Sequence, residues 1–170
     1  ERVAMSGRKL HIRNAMLRLE NCFRNRNKEN GKRKIIMFVD YSGSMYDTLK
    51  HHGGREFIGA FKMLHDEKLI DLKLIYSKDS DGFDMTNRSL KEILSITPNG
   101  GHEALEDNLK NYIQDVKKAD AVLLFTDGML TGNMINEYEY RQSGIDLVAL
   151  CIPRPIDVSQ VRKACNGYFS

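Results

Sequence analysis

The chain of 170 residues lacks several things that would have placed it quickly. It has three cysteines, Cys22, Cys151 and Cys165, with no C-x-x-C pair and no even set, so neither a disulfide framework nor a zinc ribbon is indicated. Cys151 lies in an apolar run and reads as a buried thiol, which favours a reducing, cytoplasmic compartment. No apolar run approaches the roughly 18 residues of a membrane span. No signal-peptide pattern is present, and the first residue is Glu1 rather than Met, as in a piece of a longer chain. Walker A, G-x-G-x-x-G and G-x-S-x-G patterns are all missing, so the chain has no nucleotide loop and no serine-hydrolase elbow of its own.

Acidic residues are scarce in the first 34 positions, where 11 Lys/Arg face 3 Asp/Glu for a charge of +8. The remaining 136 residues carry 15 against 20, or −5. Residues 1–33 therefore read as a basic arm and 34–170 as one domain. Ile12, Met16, Leu19 and Phe23 recur at helical spacing and predict a helix around Leu10–Phe23. The arm either packs on its own domain or grips a partner, nucleic acid included, although no aromatic residues interleave its charges as base-stacking platforms would.

What is present is a set of apolar runs ending in oxygen-bearing residues. Ile35–Val39 runs into Asp40-Tyr41-Ser42-Gly43-Ser44, and Ala121–Phe125 runs into Thr126-Asp127-Gly128. Further strands are expected at Leu69–Tyr76 and Ile145–Ile152. Helices are expected over Thr48–His65, Asn87–Leu94 (capped by Asn87 or Thr86), His102–Lys118, Asn133–Gln142 and Asp157–Cys165, with Ser77–Asp84 and Thr97–Gly101 as loops. Strands alternating with helices predict an α/β fold, Rossmann-like and doubly wound, with a mostly parallel sheet covered on both faces.

In such a sheet, ligands bind beyond the carboxyl ends of the strands. If the strands ending at Asp40 and Asp127 are neighbours, Asp40, Ser42, Ser44 and Asp127 form an oxygen-only site of the kind Mg²⁺ accepts. The alternative is that both aspartates cap turns or helices. A phosphoryl-transfer enzyme of the haloacid dehalogenase kind also places an Asp after its first strand, but Ser42 stands where its second Asp is needed.

Asp40-Tyr41-Ser42-Gly43-Ser44 resembles the D-x-S-x-S motif of von Willebrand factor A domains. Phe125-Thr126-Asp127-Gly128 is similar to that family's later strand, and Pro98-Asn99-Gly100-Gly101 to its glycine pair. The resemblance covers about Lys34 to the C-terminus. It implies a non-catalytic module with a metal-ion-dependent adhesion site, in which Mg²⁺, Mn²⁺ or another divalent cation offers an open position to a partner's Asp or Glu. The family's threonine ligand is replaced by His102, followed by Glu103. Either could complete the site, His102 favouring a softer ion than Mg²⁺, with Thr86 or Thr97 as weaker substitutes. Tyr41, Met45, Gly128 and Met129 are expected at the partner-binding rim. Ser6–Leu10 and Phe23–Arg26 resemble, loosely, the intracellular cobaltochelatase-T-like proteins that work beside a MoxR-like AAA+ ATPase. That implies an intracellular bacterial or phage adaptor with no membrane partner.

Overall fold

In the computed structural model, residues 2–5, 8–11, 31–51, 53–79, 81–98, 100–102, 104–128, 147–151 and 167–169 are described. Two short strands, β1 (Arg2–Met5) and β2 (Arg8–His11), pair antiparallel, with Met5 opposite Arg8. Leu10 and His11, at the start of the segment expected to be helical, belong to that ladder instead. The Met5–Arg8 pairing has the spacing of a two-residue hairpin connection, and strand pairing overrides the weak local helical period there. The rest of that segment lies outside the described residues, as do the helices expected at 133–142 and 157–165.

The main sheet is built from β3 (Arg33–Asp40), β4 (Ile70–Lys78), β5 (Asp81–Asp84), β6 (Ala121–Thr126), β7 (Leu147–Cys151) and β8 (Gly167–Phe169), in the order β5-β4-β3-β6-β7-β8. All its pairings are parallel except β4 with β5. After β3 the chain builds outward through β4, then crosses to the other side of β3 for β6. The ends of β3 and β6 therefore flank the point where strand order reverses, which is where open α/β sheets form their crevice.

The period of two along each strand sorts the core. Ile35, Met37, Val39, Leu72, Leu74, Leu123 and Phe125 pack on one face. Over that face lie α1 (Met45–His51), α2 (Gly54–Asp66) and α3 (Leu90–Ser95), contributing Leu49, Ile58, Phe61 and Ile93. Ile36, Phe38, Ile75, Val122 and Leu124 pack on the other. That face meets Leu105, Leu109 and Val116 from α4 (Leu105–Asn111) and α5 (Ile113–Lys118). The unbroken apolar runs of β3 and β6 exist because both faces are buried.

Boundaries departed from expectation for local reasons. The helix expected over Thr48–His65 is two helices, because Gly53 takes a left-handed φ of 77°. The single helix expected from His102 begins only at Leu105 and is interrupted at Tyr112. The segment 77–84, expected as a loop, continues β4 to Lys78 and returns as β5, with Asp79 in a left-handed turn at φ 51°. The strand at 167–169 was not anticipated.

The helix expected from Asn87 starts at Leu90, because Ser89 makes a capping box with Glu92. The Ser89 hydroxyl accepts the Glu92 N–H, and the Glu92 carboxylate accepts the Ser89 N–H at 2.9 Å. Ser89→Ala should cost about 1 kcal/mol, read as a small fall in urea midpoint with an unchanged slope.

Candidate metal-docking site

The alternation that buries Ile36 and Phe38 puts Asp40 on the α4–α5 face, and the same alternation in β6 puts Thr126 beside it. Asp40 is 0% exposed. Its Oδ1 accepts the Ser42 N–H at 2.9 Å, and its Oδ2 accepts the Thr126 hydroxyl at 2.8 Å. Thr126 Oγ1 in turn accepts the Gly128 N–H at 3.1 Å, so the strand end after β6 is braced through Asp40. The Ser42 side chain also bonds this carboxylate, so its two oxygens share three protein donors and keep one further lone pair.

Ser42 and Ser44 hydroxyls lie 3.1 Å apart, the first buried and the second exposed. Their loop is held as a turn by the Met45 N–H to the Ser42 carbonyl and the Tyr46 N–H to the Gly43 carbonyl. Asp127 is buried and close enough to act on the Asp40 carboxyl. Burial pushes that carboxyl up from 3.8 to about 6; Ser42 and Thr126 oppose the rise, and Asp127 adds to it. The four oxygen-bearing residues expected at the site are therefore gathered at one strand junction. Among the described residues no three His, Cys, Asp or Glu cluster as a metal site; the two carboxylates and two hydroxyls gathered here offer oxygen atoms alone. That hard-oxygen chemistry fits Mg²⁺ or Mn²⁺ better than a softer ion.

His102 sits on the adjoining loop and is exposed. A Cβ on Gly43 would stand 3.2 Å from Gly100 Cα, so the 100–102 segment abuts the Ser42–Ser44 turn. The His102 backbone is committed to Asp79: its N–H donates to Asp79 Oδ1 at 3.1 Å and its carbonyl accepts the Asp79 N–H at 2.7 Å. Glu103 lies outside the described residues, as does Met129. The two substitute hydroxyls are used elsewhere. Thr86 Oγ1 accepts the Leu74 N–H in mid-strand, and Thr97 Oγ1 accepts from Arg55.

The expected rim needs correction. Tyr41 is buried and stacks on Tyr76 at 5.2 Å, because its N–H continues the ladder to Ser77 and turns its ring to the face opposite Asp40. Met45 is 0% exposed, as the first residue of α1 facing the sheet. Gly128 is buried too. None of these three offers a side chain to a partner. Sequence reading missed Ser77 and Asn108, both 0% exposed, which line the Asp40 side of the sheet. Ser77 pairs in register with Asp40, and Asn108 reaches it from α4.

No protein-family model and no curated protein matches this chain. Solved structures do. An aerotolerance-related membrane protein from Bacteroides fragilis, carrying multiple mutations to serine, matches at TM-score 0.56 and 14% identity, over 81% of this chain and 90% of that one. The VWA domain of SpRpn10 matches at 0.53 and 10%, over 82% and 88%. The pilus adhesin SpaC from Lactobacillus rhamnosus GG matches at 0.61 and 15%, over 85% of this chain but 29% of the adhesin. With this sheet order and helices on both faces, the chain has a von Willebrand factor A-like α/β fold.

Proposed function

We propose that this chain is a non-catalytic protein-interaction module that docks a partner carboxylate through a divalent cation. The observation that carries the reading is the Asp40 carboxylate, buried beside Asp127, with one oxygen oriented by Ser42 and the other by Thr126. Asp40, Ser42, Ser44 and Asp127 would hold Mg²⁺ or Mn²⁺. When bound, the ion supplies a coordination position that water fills until a partner Asp or Glu displaces it. Thr126 keeps Asp40 aimed at the crevice, and the Ser42–Ser44 turn brings both hydroxyls to its edge. His102 or Glu103 is a candidate further ligand from the neighbouring loop. We place the partner among intracellular proteins with an exposed acidic residue, with an AAA+ ATPase as the companion that the basic arm suggests.

The test is calorimetric titration of the full chain with Mg²⁺ and Mn²⁺, in native and Asp40→Ala forms, together with retention on an immobilised acidic peptide. Binding should be stoichiometric, absent in Asp40→Ala, and reversed by chelator. Peptide retention that survives both the substitution and the chelator overturns the reading. Mg²⁺-dependent hydrolysis of an aryl phosphate, lost in Asp40→Ala, would overturn its non-catalytic part.

A further inference from the structure

Two backbone conformations near the site are unusual. Asp79 and Ala104 are two of only three non-glycine residues with left-handed φ among the described residues, at 51° and 40°, and Gly101 between them has φ 88°. Such conformations persist in non-glycine residues only where surrounding contacts hold them. Here the same side chain holds both. Asn108 Nδ2 donates to the Ala104 carbonyl at 3.0 Å and to the Asp79 carbonyl at 3.3 Å, as well as to Ser77 Oγ at 2.8 Å. Two amide protons thus serve three oxygens, so one proton is shared between two of them. The opposite amide orientation would aim its oxygen at two carbonyls, so the donor face must point this way. Asn108 Oδ1 is left buried with no hydrogen-bond partner among the described residues, facing Gly82, where a Cβ would overlap it.

From this we infer that Asn108 is a positioning residue: it locks the turn at Asp79 to the start of α4 and thereby fixes the His102 loop between them as one wall of the Asp40 site. Asp79 passes the constraint on through its two hydrogen bonds with the His102 backbone. Gly101 allows the approach, since a Cβ there would stand 3.0 Å from both Asp79 carboxylate oxygens. Ser77 ties the same amide to the strand position paired with Asp40. The consequence for ion binding rests on the docking reading above; the clamp itself does not.

Hydrogen exchange on the full chain, followed residue by residue by NMR, tests it. Asn108→Leu keeps the branched four-atom outline of the side chain, with bulkier ends, and removes the donors. In that variant the amides of Asp79 and His102 should exchange about tenfold or more faster, while those of Met37 and Leu123 keep native rates. Mg²⁺ affinity should weaken in the same variant, short of the complete loss expected for Asp40→Ala. Native protection at Asp79 and His102, or a loss no greater than at Met37 and Leu123, overturns the clamp. If Asn108→Leu does not fold, the native chain decides: the Asn108 side-chain amide protons should be protected, relative to their intrinsic rates, as strongly as the Asp79 and His102 amides, and much weaker side-chain protection overturns it. No Mg²⁺ binding by the native chain would overturn the docking reading and leave the clamp to be judged by exchange alone.

Discussion

Asp40→Asn should make the metal-free chain more stable at pH 8 and at the same time remove its response to Mg²⁺. The carboxyl of Asp40 is raised from 3.8 to about 6, chiefly because burial disfavours its charge. A folded-state value above the unfolded one means that the fold holds the proton more tightly. The fold is therefore most favoured below about pH 4, and that advantage is lost as pH rises through about 6. By pH 8 the ionised carboxylate costs the metal-free fold about 3 kcal/mol. Asparagine avoids the charge and keeps the Ser42 N–H bonded at Oδ1. Its amide would face Thr126 Oγ1, leaving that hydroxyl proton without its acceptor, at a cost of about 1 kcal/mol. The net gain is about 2 kcal/mol, or roughly 4–8 °C in melting temperature for a chain of this size. At pH 4 the gain should disappear. Native protein should gain stability from added Mg²⁺ at pH 8 and little at pH 5, where the ion must displace a proton. Thermal unfolding of both forms across this pH range, with chelator and with Mg²⁺, checks each part. An Asp40→Asn variant less stable than native at pH 8 in chelator would show that the charge is not the liability described here.

The parts of this structure that could be read from the sequence are those where one repeating pattern decides. Five successive apolar residues before Asp40, and a similar run before Asp127, required strands buried on both faces, and their endings placed two carboxylates at one sheet edge. What could not be read depends on which residues meet across strands. Ser77 looked like the first residue of a loop, and its position beside Asp40 follows only from the register of β4 on β3. Asn108 looked like a polar residue on a helix, until that helix was laid over the face holding Ser77 and Ile75. Tyr41 was misjudged because one further ladder bond, to the Ser77 carbonyl, sends its ring into the core. The strand β5 was hidden by a turn in which Asp79, not a glycine, takes the left-handed conformation.

Phe125→Ala should be the more damaging of the core substitutions near the site, and its effect should reach Asp127. Phe125 is 1% exposed and stacks on Phe57 of α2 at 5.5 Å, with its edge against the position where Gly54 lacks a Cβ. Truncation removes the ring from both contacts, and Gly54 has no side chain to move into the space. A loss of about 3–5 kcal/mol is expected. Gly54→Ala is the informative comparison. Its Cβ would stand 3.1 Å from Phe125 Cε1 but also 2.9 Å from the Thr48 carbonyl oxygen, so it destabilises the native chain by crowding. In the double variant the ring is gone while the carbonyl clash remains, so the two losses should add to less than their sum. Phe125 precedes Thr126, whose hydroxyl holds Asp40, so a shift of β6 within the cavity would loosen that bond. Chemical denaturation of the four forms gives the coupling, and Mg²⁺ titration of the folded Phe125→Ala variant should show weaker binding. Strict additivity of the two losses, or native Mg²⁺ affinity in Phe125→Ala, would show that packing between α2 and β6 does not set the position of the site.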